Sequence, residues 1–510
     1  MNPQHNPSPF IDVSQVQSTR KASPVLSVKF VLSCSLYSSM LALLLSMQAC
    51  TPLTPKYERP ELPVQNVYPR AEGNKLSSAK TAADIEQKNK LVSLSWQDFV
   101  RDGKLREIIN LALKNNRDLR AAALQVQKAQ AQYQVSSADL FPKINASLGN
   151  TATKTPANLT TTGQVSIMHD YSSGLGFSSY ELDMFGRLQS LKDSAFQQYL
   201  STTEAAQTVR VSLIAQVAIQ YLNLSADRLR LQLAEQTLNA QQQTLDMDKR
   251  RFELGVISEL DLSQSRSTVE SAKVDISKYK TLVAQDTNSL TLLVGAAISS
   301  DLLGSDFLGA PSVIETPAGI PSDLLSQRPD ILDAEHQLIA ANANIGAARA
   351  AYFPSISMTT FYGSASPALN GLFSSGSRSW LFMPQINLPI FDGGRISANL
   401  KIAQTNQKIA INSYEKLIQN AFKEVADALA LQENIKDELT SQQSLVQATE
   451  LSLKLSQARY ENGINSYLSV LDSQRSLYTA KQNLIALKLS SYTNEFTLFK
   501  ALGGGSEKLN

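Results

Sequence analysis

The chain carries one run of motifs twice. Arg117-Asp118-Leu119 is matched by Pro329-Asp330-Ile331, and Phe141-Pro142-Lys143-Ile144 by Phe353-Pro354-Ser355-Ile356. Phe185-Gly186-Arg187 is echoed by Phe391-Asp392-Gly393-Gly394-Arg395, and Arg251-Phe252-Glu253-Leu254-Gly255 by Arg459-Tyr460-Glu461-Asn462-Gly463. The offset stays near 210 residues, and chance does not preserve four such matches in order. A chain written this way folds as two copies of one supersecondary unit.

Each unit has a readable order. A helix is expected over 104–140 in the first and over 329–352 in the second. A Phe-Pro pair ends each, because proline restricts the residue before it and cannot continue the hydrogen-bond ladder. Residues 143–150 and 355–363 then alternate apolar and small polar side chains, the period of a strand. Loops rich in Gly, Ser, Thr and Pro follow at 151–163 and 364–379, and second strands at 165–182 and 380–390. So each unit offers one β-hairpin, and the chain four strands. A closed transmembrane barrel takes at least about eight strands, so a membrane span calls for several chains.

Residues 187–254 and 396–462 contain neither Gly nor Pro. One helix over such a stretch reaches about 100 Å, at about 1.5 Å per residue. Apolar and small residues recur at three and four (Val209, Leu213, Val217, Tyr221 and Leu224; Leu417, Ala421, Val425 and Ala428), with Gln, Asn, Ser, Lys and Glu between them. That pattern suits helices packed side by side and wet elsewhere. Helices return after Gly255 and Gly463, where glycine suits a tight antiparallel turn. Phe391 to Arg395 lacks the lysine and spacing of a phosphate loop and reads as a strand-to-helix turn capped by Asp392.

The first tenth of the chain differs. Arg20, Lys21 and Lys29 precede a largely apolar run at 31–45, and Met47-Gln48-Ala49-Cys50 follows. This looks like a bacterial lipoprotein signal, in which the cysteine thiol takes a diacylglycerol and the new amino terminus an N-acyl chain. Thr51 follows Cys50 where an aspartate would favour inner-membrane retention, which points to outer-membrane sorting. The bland alternative is an ordinary thiol behind a cleaved signal. Beyond Cys50 no run of eighteen apolar residues occurs. A mature chain that spans a membrane must therefore do so with strands.

The formal charge is +2, and no basic footprint for nucleic acid stands out. The three histidines, His5, His169 and His336, occupy unrelated places in the repeat. No Cys, His and Asp set has metal-ligand spacing. With no nucleophile, base or metal set organised, the reading is no enzyme, no metal and no cofactor besides lipid on Cys50.

These pieces together resemble a known family. They are the lipobox, the duplicated unit, both Phe-Pro helix ends, residues 180–187 (YELDMFGR), 325–330 (LSQRPD) and 388–395 (LPIFDGGR), and the stretch 459–474. The chain is similar to the TolC-like outer membrane factors, in the lipoprotein branch called NodT, over essentially all of its mature length. The resemblance implies an α+β homotrimeric channel: a twelve-stranded outer-membrane β-barrel, four strands per protomer, continuous with a twelve-helix periplasmic α-barrel, plus a small mixed equatorial domain. The expected division is a signal peptide at 1–49, an equatorial segment at 50–103, a first repeat at 104–300, a linker at 301–320, a second repeat at 321–502 and a tail at 503–510. The implied role is the exit duct of a tripartite efflux pump. It would be lipid-anchored in the outer membrane and extend through the periplasm. It would pass drugs and other small molecules delivered by an inner-membrane resistance–nodulation–division transporter and a periplasmic adaptor. The alternatives are a structural or assembly lipoprotein, which leaves the four matched strands unexplained, and a channel for type I protein secretion.

In that family a tyrosine, an arginine and two aspartates close the periplasmic tip. The matching positions here are Tyr460, Asn465, Ser469 and Asp472. Two of the four differ, so the family's salt-bridge lock does not carry over. The other unit offers Asp261 opposite Ser469 and Gln264 opposite Asp472. Asp261 and Asp472 are expected to share an acidic, cation-favouring lining, unless both are solvated turn residues or local caps. The turns themselves are the expected adaptor docking surface: Arg251, Gly255 and Ser258 in one unit, Arg459, Gly463 and Ser466 in the other. Both arginines would equally suit helix C-termini.

Overall fold

The computed structural model describes residues 53–65, 68, 95–303 and 322–504. Cys50, with the rest of the expected signal, lies outside the described residues, as does most of the linker. A short helix α1 (Trp96–Phe99) leads into α2 (Gly103–Asn115) and α3 (Arg117–Ala138). Strands β1 (Asn145–Thr155) and β2 (Ser166–Leu182) follow, then α4 (Arg187–Glu253) and α5 (Glu259–Val294). The second unit runs α6 (Pro329–Ala350), β3 (Ser355–Ser366), β4 (Arg378–Asn387), α7 (Arg395–Glu461) and α8 (Tyr467–Ala501). Helices α4 and α7 hold 67 residues each, about 100 Å of unbroken helix.

The helix expected over 104–140 is divided at Asn116. Its Oδ1 accepts from the Leu119 N–H at 2.8 Å, capping α3, and its Nδ2 donates to the Leu293 carbonyl at 2.8 Å, at the end of α5. Helices α3 and α5 therefore meet end to end alongside α4. Arg328 does the same job in the second unit. Its guanidinium donates to the Ala501 carbonyl at 2.7 Å, at the end of α8, and is held by Asp330 and Glu424. Each junction satisfies carbonyls that a helix C-terminus leaves without intrahelical partners.

Two cores flank these junctions. Trp96, Phe99, Leu105 and Ile108 pack with Leu213, Val217, Leu290 and Phe496 in one. Ile331, Tyr414, Ile418 and Val425 pack in the other. Residues 53–65 form a strap along α6. The Leu53 carbonyl accepts from Arg349 at 3.1 Å and the Pro55 carbonyl from Asn342 at 2.7 Å. Tyr57 donates to Glu335 at 3.0 Å, and Arg59 grips both oxygens of the same carboxylate. The strap thus runs from the end of α6 that leads into β3 back toward its start.

The strands form one antiparallel sheet in the order β1-β2-β3-β4. Its register sets Leu175 beside Tyr362 and Trp380, Phe177 beside Thr360 and Phe382, and Ile356 beside Ile386, so one face is largely apolar. The other face carries rows such as Ser147, Gly174, Gly363 and Ser379. A Cβ on Gly174 or Gly363 would lie 2.5 or 2.1 Å from a backbone oxygen of the facing strand, so this close approach needs glycine.

The expected closed barrels are not what the chain forms. The sheet is open and uncurled, with β1 and β4 at opposite edges and their outer backbone groups unpaired within it. The helices form a bundle in which α4 packs on α3, α5, α6 and α8, and α7 on α6 and α8. No extensive contact brings α7 round to α3 among the described residues. Four strands have too little circumference for the last edge to reach the first. No helix among the described residues is long and apolar enough to cross a membrane.

Candidate functional site at the helical turns

Both long helices end in the same way. The Gly255 N–H donates to the Phe252 carbonyl at 2.9 Å and the Val256 N–H to the Arg251 carbonyl at 2.8 Å. Gly463 and Ile464 repeat this pair on Tyr460 and Arg459, at 3.0 and 2.9 Å. These are Schellman turns, and both glycines sit in the left-handed region, at φ 71° and 72°. The following helices start differently. Ser258 caps α5 in a reciprocal capping box with Asp261, whose Oδ2 accepts from the Ser258 N–H at 3.2 Å and its hydroxyl at 2.7 Å. Ser466 caps α8 with no side-chain bond, and Ser469 stands where the first unit has the returning carboxylate of Asp261.

The expected site residues divide accordingly. The Asp261 carboxylate is engaged in its cap. Asn465 accepts from Arg459 at 3.2 Å, within one turn. Ser469 donates its N–H to the Ser466 carbonyl at 3.2 Å. Gln264 is half-buried on α5, and its carbonyl accepts from Ser267 at 2.9 Å. Asp472 is exposed and makes no hydrogen bond or ion pair among the described residues. A single chain does not bring these groups together. The turns also expose apolar side chains, with Leu254 78% and Val256 69% accessible, and Leu260, Ile464 and Leu468 each more than half so.

Tyr460 does reach across between hairpins. Its hydroxyl donates to Asp248 on α4 at 3.1 Å, and Arg251 lies over its ring at 5.1 Å. Asp248 is fully buried and also accepts from Ser265 on α5. Tyr467, buried beneath Tyr460 at 5.3 Å between ring centres, completes the cluster with Val470 and Leu471. Burial first, and then the Asp248 charge, push the Tyr460 hydroxyl up to about 12. The arrangement ties the α7–α8 turn to the α4–α5 hairpin through one buried carboxylate.

A sequence profile described as Outer membrane efflux protein matches residues 108–296 and 320–504, the two units in turn. The chain belongs to the outer membrane efflux protein family. This efflux protein is 45% identical over 453 residues to the toluene efflux pump outer membrane protein TtgC of Pseudomonas putida, covering 89% of this chain and 92% of that one. It is 40% identical over 464 residues to the cation efflux system protein CusC of Escherichia coli, covering 90% and 97%. A crystal structure of a membrane protein from Pseudomonas aeruginosa matches with a TM-score of 0.82 at 37% identity, covering 89% and 98%. Membership places the chain among efflux proteins of the outer membrane and not among enzymes.

Asp248, Ser265 and Tyr467 were absent from the expectations for this efflux protein, yet the repeat held a signal for the first two. The second unit sets Ser456 against Ser473 at 2.9 Å, and these are the positions equivalent to Asp248 and Ser265. One carboxylate in a repeated seam of hydroxyls marks the odd member. Nothing local marks Tyr460 as its partner, 212 residues away.

Proposed function

We propose that this chain works as a homotrimer that forms the exit duct of a tripartite efflux pump, receiving small molecules from an inner-membrane resistance–nodulation–division transporter through a periplasmic adaptor. The observation that carries the reading is the pairing, twice over, of a β-hairpin with a helical hairpin about 100 Å long, the sheet apolar on one face. A sheet of that kind suits the outer membrane and helices of that length suit the periplasm. The glycine turns and their exposed apolar side chains form the adaptor docking surface, with Arg251, Ser258, Arg459 and Ser466 around them. Asp472 supplies the acidic lining of the mouth, and the Asp248–Tyr460 bond holds the turns in their closed arrangement.

The chain belongs, in this reading, to the NodT lipoprotein branch, with Cys50 carrying a diacylglycerol and an N-acyl chain. The strap supports this. Leu53 lies at the sheet end of α6, and Cys50 precedes it by three positions in the sequence. Acyl chains there would enter the membrane that the sheet meets, and more than one chain is needed for stable anchoring. Relatives of comparable similarity are named for toluene and for cations, which supports a duct that leaves the choice of cargo to its partners. The test is accumulation of a fluorescent apolar compound in energised cells with and without the gene. Efflux that the gene restores, and an uncoupler abolishes, is the expected result. Unchanged accumulation in a strain lacking other outer channels would overturn the reading.

A further inference from the structure

All four strands join their helices at one end of the sheet, and the β1–β2 and β3–β4 loops lie at the other. The register orders the apolar face row by row toward those loops. Ile356 and Ile386 stand nearest the helices, then Phe177 with Phe382, then Leu175 with Tyr362 and Trp380. The next row brings Ser173, Ser364 and Arg378, and the one after it Tyr171 and Ser366. Farther out on the same face come His169, stacked on Tyr171 at 6.0 Å between ring centres, and Lys154 near the end of β1. The face thus passes from aliphatic through aromatic to hydroxyl and cation.

The two ends of the sheet treat their cations differently. Near the helices, carboxylates are at hand: Lys143 pairs with Asp139 at 2.9 Å and Arg187 with Glu181 at 2.6 Å, and Arg395 follows Asp392 by three residues. Toward the loops, Arg378 and Lys154 are exposed, and neither makes a side-chain hydrogen bond or ion pair among the described residues. Residues 145–180 and 355–391 contain a single acid, Asp170, whose pairing with Thr151 sets it on the opposite face. The sheet therefore offers these cations no anion of its own. Arg378 stands two residues from Trp380, about 7 Å along the strand. A surface with cations directly beyond an apolar band complements acyl chains that carry an anionic head.

We propose that this end of the sheet binds a phosphate-bearing lipid of the outer leaflet, its acyl chains along Leu175, Phe382 and Trp380, its phosphate on Arg378, and Lys154 meeting charge farther out in the headgroup layer. The inference rests on the reading above that the sheet meets the outer membrane, and adds which lipid chemistry it selects and through which side chains. A guanidinium suits the task because its fork of donors matches phosphate oxygens two at a time. A cation at a membrane surface strengthens attraction to anionic lipid roughly fivefold.

Trp380 is 74% accessible and Trp96 only 2%, and the chain has no other tryptophan. Quenching by brominated acyl chains therefore reads the lipid beside Trp380. The purified full chain is placed in vesicles of brominated phosphatidylcholine, and unbrominated phosphatidic acid or diacylglycerol is titrated in. The expected result is relief of quenching by phosphatidic acid at a mole fraction at least roughly fivefold lower than by diacylglycerol. Arg378→Gln should remove most of that preference and Arg378→Lys should retain part of it, with strand content by circular dichroism unchanged. Equal relief by the two lipids in the wild-type chain overturns the proposal, as does a preference that survives Arg378→Gln combined with Lys154→Gln. Loss of the preference on adding inorganic phosphate at the same concentration also overturns it, by assigning the site to the free ion. A Trp380 that brominated chains do not quench at all would instead sink the reading that the sheet meets the membrane.

Discussion

Replacing Tyr460 with Phe removes one hydroxyl and leaves the ring, its contact with Tyr467 and the overlying Arg251 in place. What is lost is a hydrogen bond to a fully buried carboxylate. Hydrogen bonds to charged groups contribute about 1.5–3 kcal/mol, and among the described residues Asp248 then keeps Ser265 as its one donor. If that bond exists only in the closed arrangement of the turns, its loss shifts the closed-to-open ratio by roughly 10- to 150-fold. Single-channel recording of purified protein in planar bilayers reads this as dwell time in the conducting state. Asp248→Asn, which keeps the shape and removes the charge, closes a double-mutant cycle. The two changes should be strongly non-additive. Additivity within about 0.5 kcal/mol would show that the pair does not act as one latch. The latch also has a pH signature. The unfolded tyrosine ionises near 10 and the folded one near 12, so its contribution is whole below about pH 10 and lost as pH climbs through about 12. A closed state that weakens between pH 6 and 9 points to another group.

Three further outcomes follow from the geometry. Gly255→Ala and Gly463→Ala force a side chain into left-handed backbone, costing about 1–2 kcal/mol each, and should lower the thermal midpoint; unchanged midpoints contradict the Schellman turns. Arg59→Ala removes the bidentate partner of Glu335 and should expose residues 53–65 to protease. Burial works against the Glu335 charge, but Arg59 and Tyr57 more than offset it and hold the carboxyl below its usual range. The strap should therefore stay docked above that range and loosen as pH falls through it, which limited proteolysis at graded pH would register. Asp286 is pushed up, first by burial and then, against the Gln220 bond, by Asp227 beside it, and its Oδ2 is buried without a partner. Stability from its protonated form is present in acid and lost as pH rises, so Asp286→Asn should raise the thermal midpoint more at alkaline than at acid pH. Equal shifts at both would count against that carboxyl pair.

The sequence by itself determined the parts. Sixty-seven residues without Gly or Pro can hardly be anything but one helix when their apolar positions recur at three and four, and α4 and α7 are that. Glycine after each marks a turn because left-handed backbone is open to it at little steric cost. The alternating stretches after the two Phe-Pro pairs mark the first strand of each hairpin, since period two is itself the pleat. These signals are local: each concerns a backbone within a few residues of the side chain that shapes it. Only the tertiary structure decided how the parts meet. It broke the first helix at Asn116, because that amide serves the end of α5, 177 residues away. It gave Asp261 to a cap, one of the two readings the sequence left open, and brought Tyr460 to Asp248, which no sequence signal had paired. It left the sheet open, because whether an edge is paired depends on what lies beside it. Equivalent residues of the two units, Ser201 and Ile409 among them, ended in opposite surroundings for the same reason. A repeat copies the backbone faithfully, but burial belongs to neighbours that no single position in the chain encodes.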